Sequence, residues 1–307
     1  MNPYAQLILF ASLAVIVAAP ILFGAMGVWR SRSVASAATV GPAGPWRWQR
    51  TLHSSLLYAL SFSLIFFIQE LFLVVPKALT PGLRATLYHN NHNWTGDNPL
   101  AHLFQGTGAL AILLTALGFV AWLKLRPPRT ETARLFAIWM AFHGFFQSLP
   151  QVVVGAVVPQ NDVGMAFDYL QLSATAKLVA GLIALVVIAA IAIRFAAPLL
   201  ALARDPAEVA TPGRRSGFMF RMATLPALLA LPLIVAMRVP GSLDQVAIVP
   251  VAEFVIGVFW LQAYAWCAQP RRVGQAEPAS SIAGVLSLVI AQLLIFQFAL
   301  RPGIAFY

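Results

Sequence analysis

Charge and cysteine are what this chain has least of. Only 10% of its 307 residues are Asp, Glu, Lys or Arg, whereas a soluble domain carries about a quarter. One cysteine, Cys267, excludes an internal disulfide and any Cys-rich metal centre. The sequence contains no phosphate-binding glycine loop, no dinucleotide fingerprint and no nucleophilic triad. The first apolar run lacks the basic start of a secretory signal and is too long for a signal core, so it reads as a retained helix. Acidic residues are scarcer than basic ones, 10 against 20, giving a net charge of +10. That surplus does not point to nucleic acid, because the basic residues sit at the ends of apolar runs, where they set membrane orientation.

What the chain has in abundance is apolar surface. Hydrophobic residues make up 60% of it, more than a soluble core of this size could hide, so lipid must be its solvent. Eight runs, at about 5–28, 54–76, 100–124, 132–158, 174–199, 217–238, 245–268 and 280–302, are long enough to cross hydrocarbon at ~1.5 Å per residue. The expected architecture is therefore an all-α polytopic bundle of about eight transmembrane helices. It forms a single integral membrane domain over 1–307, built round a core at 54–172. Fifteen basic residues fall in the loops after the first, third, fifth and seventh runs, and five (Lys77, Arg84, Lys177, Arg238, Arg301) on the other side. Cytoplasmic loops collect Lys and Arg, so the chain reads as N-out and C-out in a cell inner membrane. Ser, Ala, Gly and Pro at 33–46, and Pro, Gly and charge at 203–215, suit mobile cytoplasmic connections.

Polar residues inside such a bundle are informative because each is costly in lipid. Glu70 and Glu253 both fall in the outer half of their spans. His143, Gln147 and Gln151 recur every four residues and share one helical face. Gln69 and Gln105 flank the same region. The longest outer loop, 77–99, carries His89 and His92 in a His-x-x-His arrangement with Trp94, and His102 opens the next span. Two loop histidines are not a metal site by themselves. His102 and His143 are the residues that could complete a ligand set with them or with Glu70. The expectation is that Glu70, His102, His143 and Glu253 converge in the outer half, with His53 apart on the cytoplasmic side.

Three segments in order give a resemblance to the site-2-protease-like intramembrane metalloproteases: Gln69-Glu70-Leu-Phe-Leu73, the small-residue helix Gly106-Thr-Gly-Ala-Leu-Ala-Ile-Leu-Leu, and Pro159-Gln-Asn-Asp162-Val-Gly164. That family holds zinc with His-Glu-x-x-His on one span and an acidic ligand on a later one. Here Gln69 and Leu73 stand at the two histidine positions. The resemblance therefore implies a non-proteolytic relative that keeps Glu70 and Asp162.

The functional expectation is an outward polar chamber lined by Glu70, Gln69, Gln105, Gln147, Gln151, Glu253 and Asp162. It would bind a divalent metal ion through His102, His143, His89 and His92, or a small polar ligand, with haem a lesser alternative. Two other classes stand beside it: a proton-coupled transporter or channel, with Pro226, Pro232 and Pro250 as helix breaks, and an accessory subunit of a membrane complex. The expected partners are the lipid bilayer and, in the accessory case, another membrane protein.

Overall fold

The computed structural model describes residues 3–34, 44–269, 273–274, 277 and 281–307. Most of the expected linker at 33–46, together with Arg271 and Arg272, lies outside the described residues. Seven of the eight expected runs form helices long and apolar enough to cross a membrane: α1 (Pro3–Arg32), α2 (Trp48–Ala78), α3 (Leu100–Leu125), α6 (Ala174–Leu200), α7 (Pro212–Arg238), α8 (Asp244–Tyr264) and α9 (Ile282–Leu300). The eighth is also helical. Helix α4 (Glu131–Gly155) has 25 residues, about 37 Å at the usual rise, but His143, Gln147, Ser148 and Gln151 dilute its apolar character. It can afford that composition because it is central: it packs against α2, α3 and α6 and buries most of its residues from Leu135 to Ser148. A short helix, α5 (Asp162–Tyr169), capped by the Asn161 side chain, folds back against α3 and α4.

Two faces close the bundle. On one, which we call the arginine face, Glu131 at the start of α4 is 1% exposed and takes Arg50 Nε at 2.8 Å and Arg204 Nη2 at 2.8 Å. Arg50 also donates to the Leu202 carbonyl and stacks over Trp46, so α2, α4 and the chain after α6 are tied at one level. His53 lies here as well, paired with Thr132 and apart from the other histidines, as expected.

The opposite face departs from a purely helical picture. Strands β1 (Arg84–Leu87) and β2 (His92–Thr95) form an antiparallel hairpin, and β3 (Ile304–Phe306) adds to the other edge of β1, giving the order β2-β1-β3. Ala85 and Leu87 turn inward and are buried, which seats the hairpin on the bundle. Gly96 ends it at φ +116°, with the Gly82 carbonyl oxygen 1.9 Å from where a Cβ would stand, so only glycine fits.

Prolines do not break the helices as a transporter reading suggested. Among the described residues five helical stretches are wide, π-type turns: Leu13–Ala18, Phe220–Thr224, Asp244–Ile248, Phe254–Val258 and Ile295–Leu300. Four of them stop two residues before Pro20, Pro226, Pro250 and Pro302, and in each the residue preceding proline bonds five residues back. Proline has no N–H and collides with the carbonyl four residues before it. A wider turn moves that carbonyl aside and lets the helix continue through Pro20, Pro226 and Pro250, whereas α9 ends before Pro302. The fifth, Phe254–Val258, has no such proline and directly follows Glu253.

Candidate functional site

The buried polar residues in the half of the bundle nearer the hairpin form a ladder running from mid-helix to the hairpin face. At its inner end the His143 Nδ1 and the Glu253 carboxylate pair closely, joining α4 to α8. Both are buried, at 0% and 2% exposure. One turn further along α4, the Gln147 amide donates to the other Glu253 oxygen at 3.0 Å. The Gln151 amide donates at 2.8 Å to Gln69 on α2 and also to the Gln147 carbonyl. The expected shared face of His143, Gln147 and Gln151 is thus used in full, His143 and Gln147 reaching Glu253 and Gln151 reaching Gln69.

At the outer end, Glu70 Oε2 meets His92 Nδ1 at 2.7 Å, and the other ring nitrogen of His92 meets Gln105 Oε1 at 3.0 Å. Lys77 Nζ reaches the same Gln105 oxygen at 2.9 Å and the Leu73 carbonyl at 2.8 Å. The Trp94 ring stacks on His92 and covers the Lys77 ammonium at 4.6 Å. Asp162, at the start of α5, lies within electrostatic reach of Glu70, His92 and Lys77. Burial, then the Glu70 charge, pushes it up to about 6. Between the two ends stands Arg238, 3% exposed, whose guanidinium lies 3.9 Å over the Phe66 ring and within electrostatic reach of both Glu70 and Glu253. Three carboxylates, two basic side chains and two histidines are therefore distributed along the ladder, which lets charge be compensated without solvent.

Below His143 the ladder stops. Tyr58, Phe62, Trp139 and Phe142 pack round the imidazole edge-on or tilted, with Tyr58 nearest at 4.4 Å between ring centres. Among the described residues His143 Nε2, Gln147 Oε1 and Tyr58 Oη have no hydrogen-bond partner. This aromatic plug separates the ladder from the Arg50–Glu131 cluster on the arginine face.

The expected histidine ligand set does not assemble. His102, the third residue of α3, is exposed. His89 Nε2 donates to the Arg238 backbone carbonyl at 3.3 Å, and burial lowers its affinity for protons. His92 and His143 belong to opposite ends of the ladder. Among the described residues no group of three or more His, Cys, Asp or Glu side chains is placed to hold a metal ion. A cleft of about 750 Å³ on the hairpin face is lined by Leu79, Arg84, Thr95 and Tyr307, and an apolar groove of about 580 Å³ lies between α2, α4 and α9. Neither of these two cavities includes a ladder residue.

Lys77 and Arg238 are site residues that sequence reasoning assigned to topology alone. A signal was present for Lys77: it stands seven residues after Glu70, two turns along the same helical face. No family model, curated protein or solved structure matches the chain.

Proposed function

We propose that this polytopic membrane protein handles protons, as a proton-coupled transporter of a small polar solute. The observation that carries the reading is the His143–Glu253 pair. A carboxylate at the middle of a bundle costs ~2.5–3.5 kcal/mol on insertion scales, and such groups mark ion and proton pathways. Gln147 and Gln151 carry hydrogen bonds from Glu253 as far as Gln69, the residue before Glu70 of a second carboxylate–imidazole pair at the hairpin face. The aromatic plug beneath His143 is what a state closed toward the arginine face requires. The basic surplus on that face supports placing it in the cytoplasm, in a cell inner membrane, with the ladder opening outward.

The test uses purified protein in proteoliposomes loaded with a pH-sensitive dye, together with an infrared titration of its carboxyl groups. A pH- and voltage-dependent proton flux above empty liposomes is expected, falling by at least about tenfold in Glu253→Gln. The Glu253 carboxyl band should also titrate. Liposomes as proton-tight as empty ones, with a Glu253 band that does not respond to pH, would overturn the proposal.

A second reading, kinship with the site-2-protease-like family as a non-proteolytic member, is favoured by a specific contact. Gly108 of the small-residue segment packs directly on Gln69 and Leu73, where an added Cβ would stand 2.9 Å and 2.7 Å from their side chains. Asp162 approaches Glu70 from the third segment. The double substitution Gln69→His with Leu73→His should then create a stoichiometric zinc site that includes Asp162, detected by elemental analysis. Absence of zinc from the folded double variant ends this reading.

A further inference from the structure

The hairpin β1–β2 is held on the bundle by His92, and the hydrogen bonding round that side chain fixes how many protons the site contains. His92 Nδ1 faces Glu70 Oε2 and His92 Nε2 faces Gln105 Oε1. Both partners are acceptor atoms. Gln105 cannot be turned round to offer its NH₂, because the same oxygen accepts from Lys77 Nζ, whose charge is held against the Trp94 ring face. A neutral imidazole has one N–H and can satisfy only one of these two contacts. The seated arrangement therefore holds one proton more than a carboxylate beside a neutral imidazole. That proton rests either on His92, as an imidazolium donating both ways, or on Glu70, which then donates to Nδ1.

We propose that Glu70 and His92 form a single-proton binding site that latches the hairpin over the outer end of the ladder. When the proton leaves to the hairpin face, one contact of His92 is lost whichever tautomer remains, and a buried acceptor is left facing a lone pair. The side chain is 6% exposed, so water cannot replace the lost bond without moving the hairpin. The hairpin is also tied by the pairing of β1 with β3, by the His89 and Asn90 bonds to the Arg238 carbonyl and by an Asn90 bond to the Pro240 carbonyl. The His89 and Asn90 bonds connect the hairpin directly to the end of α7. The charged and titratable groups facing the pair are Lys77 on α2, Asp162 on α5 and Arg238 on α7. The latch is read at the hairpin, so it stands or falls independently of whether protons cross the membrane.

Amide hydrogen exchange of residues 84–95 in nanodiscs, from about pH 5 to about pH 9 and corrected for intrinsic chemistry, tests it. Wild-type exchange is expected to rise about tenfold or more with pH, the scale of one lost charge-assisted bond. Glu70→Gln supplies an amide donor to Nδ1 with no extra proton, so its hairpin should stay protected throughout. His92→Ala should be unprotected even at low pH and show no step. Asp162→Asn should keep the step. A flat wild-type profile, a step that persists in Glu70→Gln or His92→Ala, or its loss in Asp162→Asn would each overturn the proposal.

Discussion

His143 and Glu253 show what one buried pair means for stability and function separately. Removing one partner leaves the other unpaired in the bundle, a loss of about 3–5 kcal/mol, so His143→Ala is expected to unfold at a markedly lower temperature. Replacing both, as His143→Leu with Glu253→Leu, removes the charge together with its partner and should restore most of that stability. Thermal unfolding in detergent and proton flux in liposomes then part company: the double variant should be folded and silent. If it conducts as wild type does, the pair is only an interhelical tie. Asp162 offers a second measurement. Between about pH 4 and pH 6 the folded chain still holds the Asp162 proton that an unfolded chain has released. Stability should therefore fall as pH rises through that window. Asp162→Asn should become more stable relative to wild type across the same range, by no more than about 3 kcal/mol, and the difference should be constant above it. A difference independent of pH would mean that Asp162 is not held protonated.

The residue scale is also where the sequence was most and least readable. Glu70, Glu253 and His143 were legible because an ionisable group in a long apolar run has few physical explanations. Their depth followed from counting residues along helices. His92 was not legible as a bundle residue: a histidine in a polar loop looks solvated until the Ala85 and Leu87 alternation is seen to seat a hairpin. His102 was expected to complete a ligand set with Glu70 or His143 from the mouth of its span, but its side chain is exposed there. Lys77 and Arg238 were counted as topology markers. They are basic residues near helix ends whose long side chains lie inward, under Trp94 and against Phe66, a use of Lys and Arg that end position alone does not separate from snorkelling to water.

Among the elements, α4 and the small-residue stretch of α3 position the ladder. Gly108 brings α3 against Gln69 and Leu73, and Gly144 brings α4 within 2.7 Å, by an added Cβ, of the Ile112 carbonyl oxygen. Small residues at such crossings let helices approach closely where lipid offers no hydrophobic drive to associate. Gly108→Val should push α3 off α2, cost about 1–3 kcal/mol of overpacking and detach Gln105 from Lys77 and His92. Hydrogen exchange localised to α3 and the hairpin would show it. A variant with wild-type protection there would mean that the contact is not a constraint. The helices themselves were readable from length and hydropathy. The hairpin and β3 were not, because their strands are four, four and three residues long and β3 pairs with β1 across more than 200 residues of chain.

For the whole molecule, the alternation of the eight long helices places Thr130 beside Glu277 on the arginine face and β1 beside β3 on the other. Reporter fusions after residues 128 and 210 should report cytoplasm, and one after residue 97 the outside. The reverse pattern would invert the charge-based orientation. The wide turns carry a different consequence, for which changes of length the chain can absorb. Each is a helix holding one residue more than its neighbours on either side need, so shortening it by one returns an ordinary turn while the flanking faces keep their register. At Phe254–Val258 nothing opposes that shortening, and a chain lacking Val255 should fold with Glu253 still facing His143. At the three turns ahead of Pro20, Pro226 and Pro250, where the helix runs on through the proline, the same deletion drives a carbonyl into the proline ring. Those three spare letters are fixed for as long as their prolines remain, and the one after Glu253 can be erased.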